Sequence, residues 1–192
     1  MILNDMQIAE LANDGMIDPF VGQQVRQVGE RRVISYGLSS FGYDLRLADE
    51  LKVFTRLGPD EIDPKAFNDS CIYEEDLESP GPGVEYFTLP QFASALGHSV
   101  ETLHLPDDVF ALCVGKSTYA RCGLIVNTTP LEPGWRGQLV IEITNITPLP
   151  IRVYANEGIA QLVFFKGERP AVTYGDRAGK YQNQTGITTA RI

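Results

Sequence analysis

Short apolar runs separated by turn residues dominate the chain from residue 84 onward: VEYFTL, SVETLHL, VFALCV, LIVNTT, GQLVIEITN, LPIRVYA and IAQLVFFK. Side chains along a strand alternate between two faces, so runs of this length recurring about every ten residues predict successive β-strands. Upstream, YGLSSFGYDLRL (36–47) alternates between glycine breaks, and DELKVFTRL (49–57) is short and β-like. Only the start reads as helix. Asn4 stands as N-cap with Gln7 three residues on, Ile8, Leu11 and Ala12 form an apolar stripe, and Gly15 ends it. PKAFNDS (64–70) predicts a turn, and the acidic, Pro- and Gly-rich EEDLESPGPG (74–83) predicts an exposed loop rather than a domain boundary. The polar, glycine-rich segment 174–192 reads either as a frayed tail or as a mobile flap over a ligand. No repeat at solenoid periods interrupts the series, so the expected architecture is an all-β sandwich, jelly roll or barrel.

A chain of 192 residues fits one domain, 1–192, and its 43% hydrophobic content suits a soluble globule. No apolar run is long enough to span a bilayer, and the acidic start lacks the basic and apolar blocks of a signal peptide. A cytoplasmic location with no membrane partner is expected. The three cysteines, Cys71, Cys113 and Cys122, form no CxxC pair and do not suggest a disulfide framework. His98 and His104 flank a predicted strand without metal-ligand spacing, so surface or hydrogen-bonded histidines are the plain reading. A net charge of −9 argues against a nucleic-acid partner, which needs a basic footprint. It leaves room for a nucleotide, because a few gathered cations can hold phosphates against an acidic background.

VGKSTYARCG (114–123) ends its first part like a phosphate-binding P-loop. The glycine such a loop needs five residues before the Gly-Lys pair is Phe110, and Cys122-Gly123 interrupts the long helix that must follow. A phosphate contact survives the failure of that motif. In WRGQLVIEITN the strand period puts Leu139, Ile141 and Ile143 on one face and Gln138, Val140, Glu142 and Thr144 on the other. A mid-strand glutamate between isoleucines is uncommon. Facing water, Glu142 is an ordinary charge; facing a pocket or another subunit, it needs a partner or a task. Lys116 and Arg121 lie two strands earlier, near enough in an antiparallel sheet to converge on it, and a cation there would keep it ionised.

The stretch GKSTYARCGLIVNTTPLEPGWRGQLVIEITN (115–145) closely resembles the central signature of the dCTP deaminase family, in the trimeric dUTPase-like superfamily. RVISYGLSSFGYDLRLADELKVFT (32–55) resembles the family's N-terminal block, and YANEGIAQLVFF with YGDRAGKYQNQTG its C-terminal block. The resemblance covers most of the chain, with 56–100 loosely matched. It implies a mainly β fold, a distorted β-barrel or jelly roll of the β-clip type with a short N-terminal helix. It also implies a homotrimer with interfacial active sites and 174–192 as a flap over each. By the same resemblance Lys116, Ser117 and Thr118 contact the triphosphate, with Tyr119 and Ala120 beside them. Ser117 and Arg121 flank the reacting water, Glu142 is the general acid-base, and the backbone of Val140 and Ile141 flanks pyrimidine and sugar. Gln161, Tyr174, Lys180 and Gln184 close over the nucleotide, and Mg²⁺ arrives on the triphosphate.

The resemblance implies hydrolytic deamination of dCTP to dUTP and ammonia, in the supply of pyrimidine deoxynucleotides. Zinc-dependent nucleobase deaminases carry H-x-E and P-C-x-x-C ligands, and this chain has neither. The expected chemistry is therefore zinc-free, with Glu142 moving protons between water, N3 and the leaving amine. Two rivals remain. Glu132, in LEPGWRG, stands where the dUTPase branch keeps a water-activating aspartate, so a bifunctional enzyme giving dUMP is one. A non-catalytic nucleotide-binding β-clip module is the other. Feedback by dTTP through the loop NTTPLEP (127–133), shorter here than in some members, is a further implication of the family.

Overall fold

The computed structural model describes residues 1–192. Its helix α1 (Asp5–Asn13) starts as the sequence predicts: Gln7 N donates to Asn4 Oδ1 and Asn4 N to Gln7 Oε1, both at 3.1 Å. Ile8 and Ala12 are buried, and Gly15, at φ +93°, turns the chain away from the helix. Asn4→Ala removes one side of this reciprocal cap and is expected to cost about 1 kcal/mol. Thermal melting should show the midpoint falling by about 2–4 °C, as a chain of this length responds to such a loss.

The remainder is mostly strand. β1 (Ile17–Asp18), β2 (Val25–Val28), β3 (Arg31–Ser39) and β4 (Gly42–Phe54) are followed, after a turn of 3₁₀ helix, by β5 (Ile72–Glu74), β6 (Glu78–Gly81) and β7 (Val84–Leu89). Then come β8 (Ser94–His104), β9 (Val109–Gly115), α2 (Ser117–Ala120), β10 (Leu124–Val126), β11 (Thr129–Leu131), β12 (Arg136–Asn145), β13 (Ile151–Tyr154) and β14 (Gly158–Lys166). Two expectations change. The segment read as one unit at 36–47 divides between β3 and β4, and its part from 42 joins most of 49–57 in the 13-residue strand β4, whose inward positions Tyr43, Leu45, Leu47, Leu51 and Val53 pack one continuous core. Part of the predicted acidic loop pairs as β6 against β7, with Glu78 opposite Tyr86 and Gly81 opposite Val84, although its side chains stay largely exposed.

Every strand pairing is antiparallel. The main sheet runs β10-β12-β8-β4-β14-β9-β11, with β13-β7-β6 as a second, smaller sheet. β10 and β11, the ends of the long path, are consecutive in the chain, so the sheet must curl back on itself. This is the mainly β, curled architecture with one N-terminal helix that the sequence implies. Its core is a single cluster of 32 buried residues reaching from Leu3 to Phe164. An ion pair with a fully buried carboxylate lies against it. Glu101, fully buried on β8, accepts from Arg46 Nε (2.7 Å) and Arg46 N (3.0 Å), and burial pushes its carboxyl upward while Arg46 opposes the shift.

No helix is long and apolar enough to cross a membrane.

Candidate active site

β12 keeps Leu139, Ile141 and Ile143 in the core, as the period predicts. The strand is irregular at one place, a bulge between Gln138 and Val140. Bulges re-aim side chains and leave backbone groups to be satisfied elsewhere. Here Leu139 N donates to the buried Ser99 Oγ (2.9 Å), and Gln138 N donates to Gln184 O (2.9 Å) of the C-terminal segment. Val140 and Glu142 then face a cavity of about 440 Å³.

Phe54, Leu96 and Trp135 contribute to the mostly apolar wall of this cavity. The C-terminal segment supplies Tyr174, Tyr181, Gln184 and Thr188–Ala190 as the opposite wall. Glu142 is half-buried, and Thr129 Oγ1 lies 3.3 Å from its Oε2, positioned to donate. Across the β9–β11 pairing from Thr129 sits Cys113, whose thiol burial pushes up to about 12, with the Glu142 charge as a second cause. A thiol held that high stays protonated and serves as packing.

Residues 183–186 of the C-terminal segment lie along β12 beyond the end of β10. Asn183 N donates to Arg136 O (2.9 Å), Gln184 Nε2 to Gln138 O (2.8 Å) and Gly186 N to Gln138 Oε1 (2.8 Å). Gly137 permits this approach. Its φ is +138°, and a Cβ there would stand 2.7 Å from Gln184 O. Arg177 of the same segment pairs with Glu132 at the cavity edge.

The other residues singled out in the sequence lie elsewhere in the same chain. Lys116 is largely buried, with Nζ 2.6 Å from Asp44 Oδ2, so its charge is already matched. Gln161, paired in register with Asp44, donates from Nε2 to Ser39 Oγ (3.1 Å). Ser117, Thr118, Ala120 and Arg121 are exposed on and just after α2. The Tyr119 and Ile141 side chains are core; the Tyr119 hydroxyl accepts from Tyr154 N (2.9 Å), so a ligand would meet these residues only through the backbone. Lys180 is exposed, its Nζ donating to Arg191 O (2.6 Å). Within one chain the structure therefore gathers Val140, Glu142, Tyr174 and Gln184 but leaves Lys116 and Arg121 outside that cavity.

The dCTP deaminase-like family matches residues 2–167. A dCTP deaminase of Gluconobacter oxydans is 50% identical over 193 residues, covering 100% of this chain and 99% of its own length. One from Acidobacterium capsulatum is 48% identical over 192 residues, with 100% and 99% covered. The chain belongs to the dCTP deaminase family. Among solved structures, the 2′-deoxycytidine 5′-triphosphate deaminase of Agrobacterium tumefaciens shares the fold, with a TM-score of 0.60 at 20% identity. That match takes in 86% of this chain, which spans about half (48%) of the Agrobacterium chain.

For this member of the dCTP deaminase family, sequence reasoning missed several residues around the site. Asp44, which neutralises Lys116, is a mid-strand acid like Glu142, and the same test would have flagged it. Thr129, beside Glu142, and Gln138, which holds the C-terminal segment through three of its atoms, carry no local signal.

Proposed function

We propose that this dCTP deaminase family member replaces the C4 amino group of dCTP with oxygen, giving dUTP and ammonia, and that Glu142 moves every proton. The observation that carries the reading is a carboxylate half-buried in a mostly apolar cavity, steadied by Thr129. Glu142 takes a proton from water as the oxygen bonds to C4, and delivers it to N3. It then moves the second proton from the new hydroxyl to the amine. The C4–N bond breaks, ammonia leaves, and the ring remains as uracil with Glu142 again ionised. General acid-base transfer of this kind contributes about 10²–10⁴-fold, and positioning supplies the rest.

The phosphates would lie on Lys116, Ser117 and Thr118, and Arg121 and Ser117 would flank the water. These residues are outside the Glu142 cavity of their own chain, which supports a site completed by a neighbouring copy, in the homotrimer that the family resemblance implies. Segment 174–192 acts as the flap, and dTTP acts as a feedback ligand through the loop 127–133.

No zinc is needed for this chemistry, and the donors suit zinc poorly. No group of three or more His, Cys, Asp or Glu side chains assembles in the fold, and Cys113 is a buried thiol held protonated. The same inventory offers no carboxylate cage for Mg²⁺, which suits a cation carried by the triphosphate oxygens, and no proton step runs through it. A zinc-selective chelator is expected to leave the rate unchanged, while removal of Mg²⁺ raises the KM for dCTP. Stoichiometric zinc by elemental analysis in active protein would overturn the mechanism.

Incubation with dCTP and Mg²⁺, followed by nucleotide chromatography and an ammonia assay, tests the reaction. A non-catalytic module would release no ammonia. A second reading, onward cleavage to dUMP, has one observation in its favour: Glu132 lines the same cavity as Glu142. Its carboxylate is engaged by Arg177, which argues against a free base. Appearance of dUMP and pyrophosphate in the same chromatogram would establish it.

A further inference from the structure

The hairpin of β2 and β3 carries a basic run that the reaction scheme leaves unused. Arg26, Arg31 and Arg32 line a groove of about 850 Å³ whose wall includes Thr118, Tyr154 and Glu157. Glu157 is the only carboxylate in that wall. It is buried and already engaged, 2.5 Å from Arg31 Nη1 and accepting from Ile34 N at 2.7 Å. Arg26 meets only a neutral acceptor, with Nε and Nη2 at 3.0 and 2.6 Å from Gln24 Oε1. Arg32 is exposed and makes no side-chain hydrogen bond or ion pair. Two positive charges are thus unmatched in one groove of a chain whose net charge is −9. A cleft lined by one sign of charge concentrates ligands of the other.

The groove is joined to the phosphate residues. Thr118 belongs to its wall. Lys116 Nζ holds Asp44 Oδ2 at 2.6 Å, the same oxygen accepts from Gln24 Nε2 at 3.2 Å, and Gln24 Oε1 holds Arg26. Because Asp44 matches Lys116 and Glu157 matches Arg31, the uncompensated cations in the groove wall that includes Thr118 are Arg26 and Arg32.

We propose that Arg26 and Arg32 bind the outermost phosphates of the nucleoside triphosphate whose inner phosphates lie on Ser117 and Thr118. The inference rests on the phosphate reading given under the proposed function and deepens it. A guanidinium offers a planar fork that matches two phosphate oxygens at once, and Gln24 holds the Arg26 fork in a fixed plane. Such a subsite would make the enzyme select triphosphates over monophosphates at a distance from the base.

The test is the double variant Arg26→Gln, Arg32→Gln, with Lys166→Gln as a charge control on the far end of β14. Arg31 is left alone, since its loss would strand the buried Glu157. Calorimetry with inorganic tripolyphosphate should show Kd weakened at least tenfold in the double variant, the scale of losing one charge-assisted contact (about 1.5–3 kcal/mol) or more. The KM for dCTP should rise by a similar factor, while the Ki of dCMP as competitor stays within about twofold. Unchanged tripolyphosphate binding overturns the proposal. So does an equal weakening of dCMP, or the same weakening in Lys166→Gln. If the unaltered protein releases no ammonia from dCTP, the deaminase reading fails, and the tripolyphosphate titration still decides the groove.

Discussion

Glu142→Gln is expected to fold, to bind dCTP and to lower kcat for ammonia release by about 10²–10⁴-fold. The substitution keeps the shape of a side chain that is only half-buried, and the amide oxygen can still accept from Thr129 Oγ1. What it removes is the group proposed to accept and return the proton. A loss of this size should therefore appear in kcat with KM little changed, the pattern of an interaction made in the transition state. Steady-state kinetics on dCTP, with melting curves as a check on folding, measure both. A variant retaining more than about a tenth of the parent rate would remove Glu142 from the proton path.

Deletion of residues 174–192 should leave a folded protein of the parent's oligomeric state whose kcat/KM falls by about 100-fold or more. The segment contributes only Tyr174 at the margin of the core cluster, so the barrel does not depend on it. Its loss strips Tyr174, Tyr181 and Gln184 from the cavity wall and opens Glu142 to water. A segment acting as the proposed lid would exclude solvent and complete the substrate contacts, and imprecise positioning alone can cost about 10²-fold. Light scattering and kinetics on the truncated protein separate the possibilities. Full kcat/KM would mean that the segment is no flap, and aggregation or a changed oligomer would mean that it holds the scaffold.

The parts of the molecule that depend on neighbours in sequence were legible in it. The reciprocal Asn4–Gln7 cap, the ends of β7 and β14 within a residue, and the buried stripe Leu139, Ile141 and Ile143 all follow from local patterns. The bulge between Gln138 and Val140 does not, because it is set by what Ser99 and Gln184 can satisfy from other segments. The same holds for the ion pairs. Lys116 meets Asp44 across 72 positions and Arg31 meets Glu157 across 126, and no spacing rule reaches that far. Sequence patterns picked out Glu142 as a charge where a strand should be apolar. They gave no sign that Lys116 would be neutralised within its own chain or that a hairpin would bring arginines to Thr118.

Gly137 has a consequence for how this enzyme tolerates change. It holds no proton and touches no base, yet any side chain there would collide with the backbone of Gln184 and demand a backbone conformation that other residues avoid. The damage would centre on the contact between β12 and the proposed flap, outside the core cluster. Substitution surveys scored by growth would rank position 137 beside position 142, while surveys scored by abundance would find both unremarkable. Intolerance without instability is usually taken as a mark of catalytic chemistry; at this glycine it would mark only the room that the proposed flap needs.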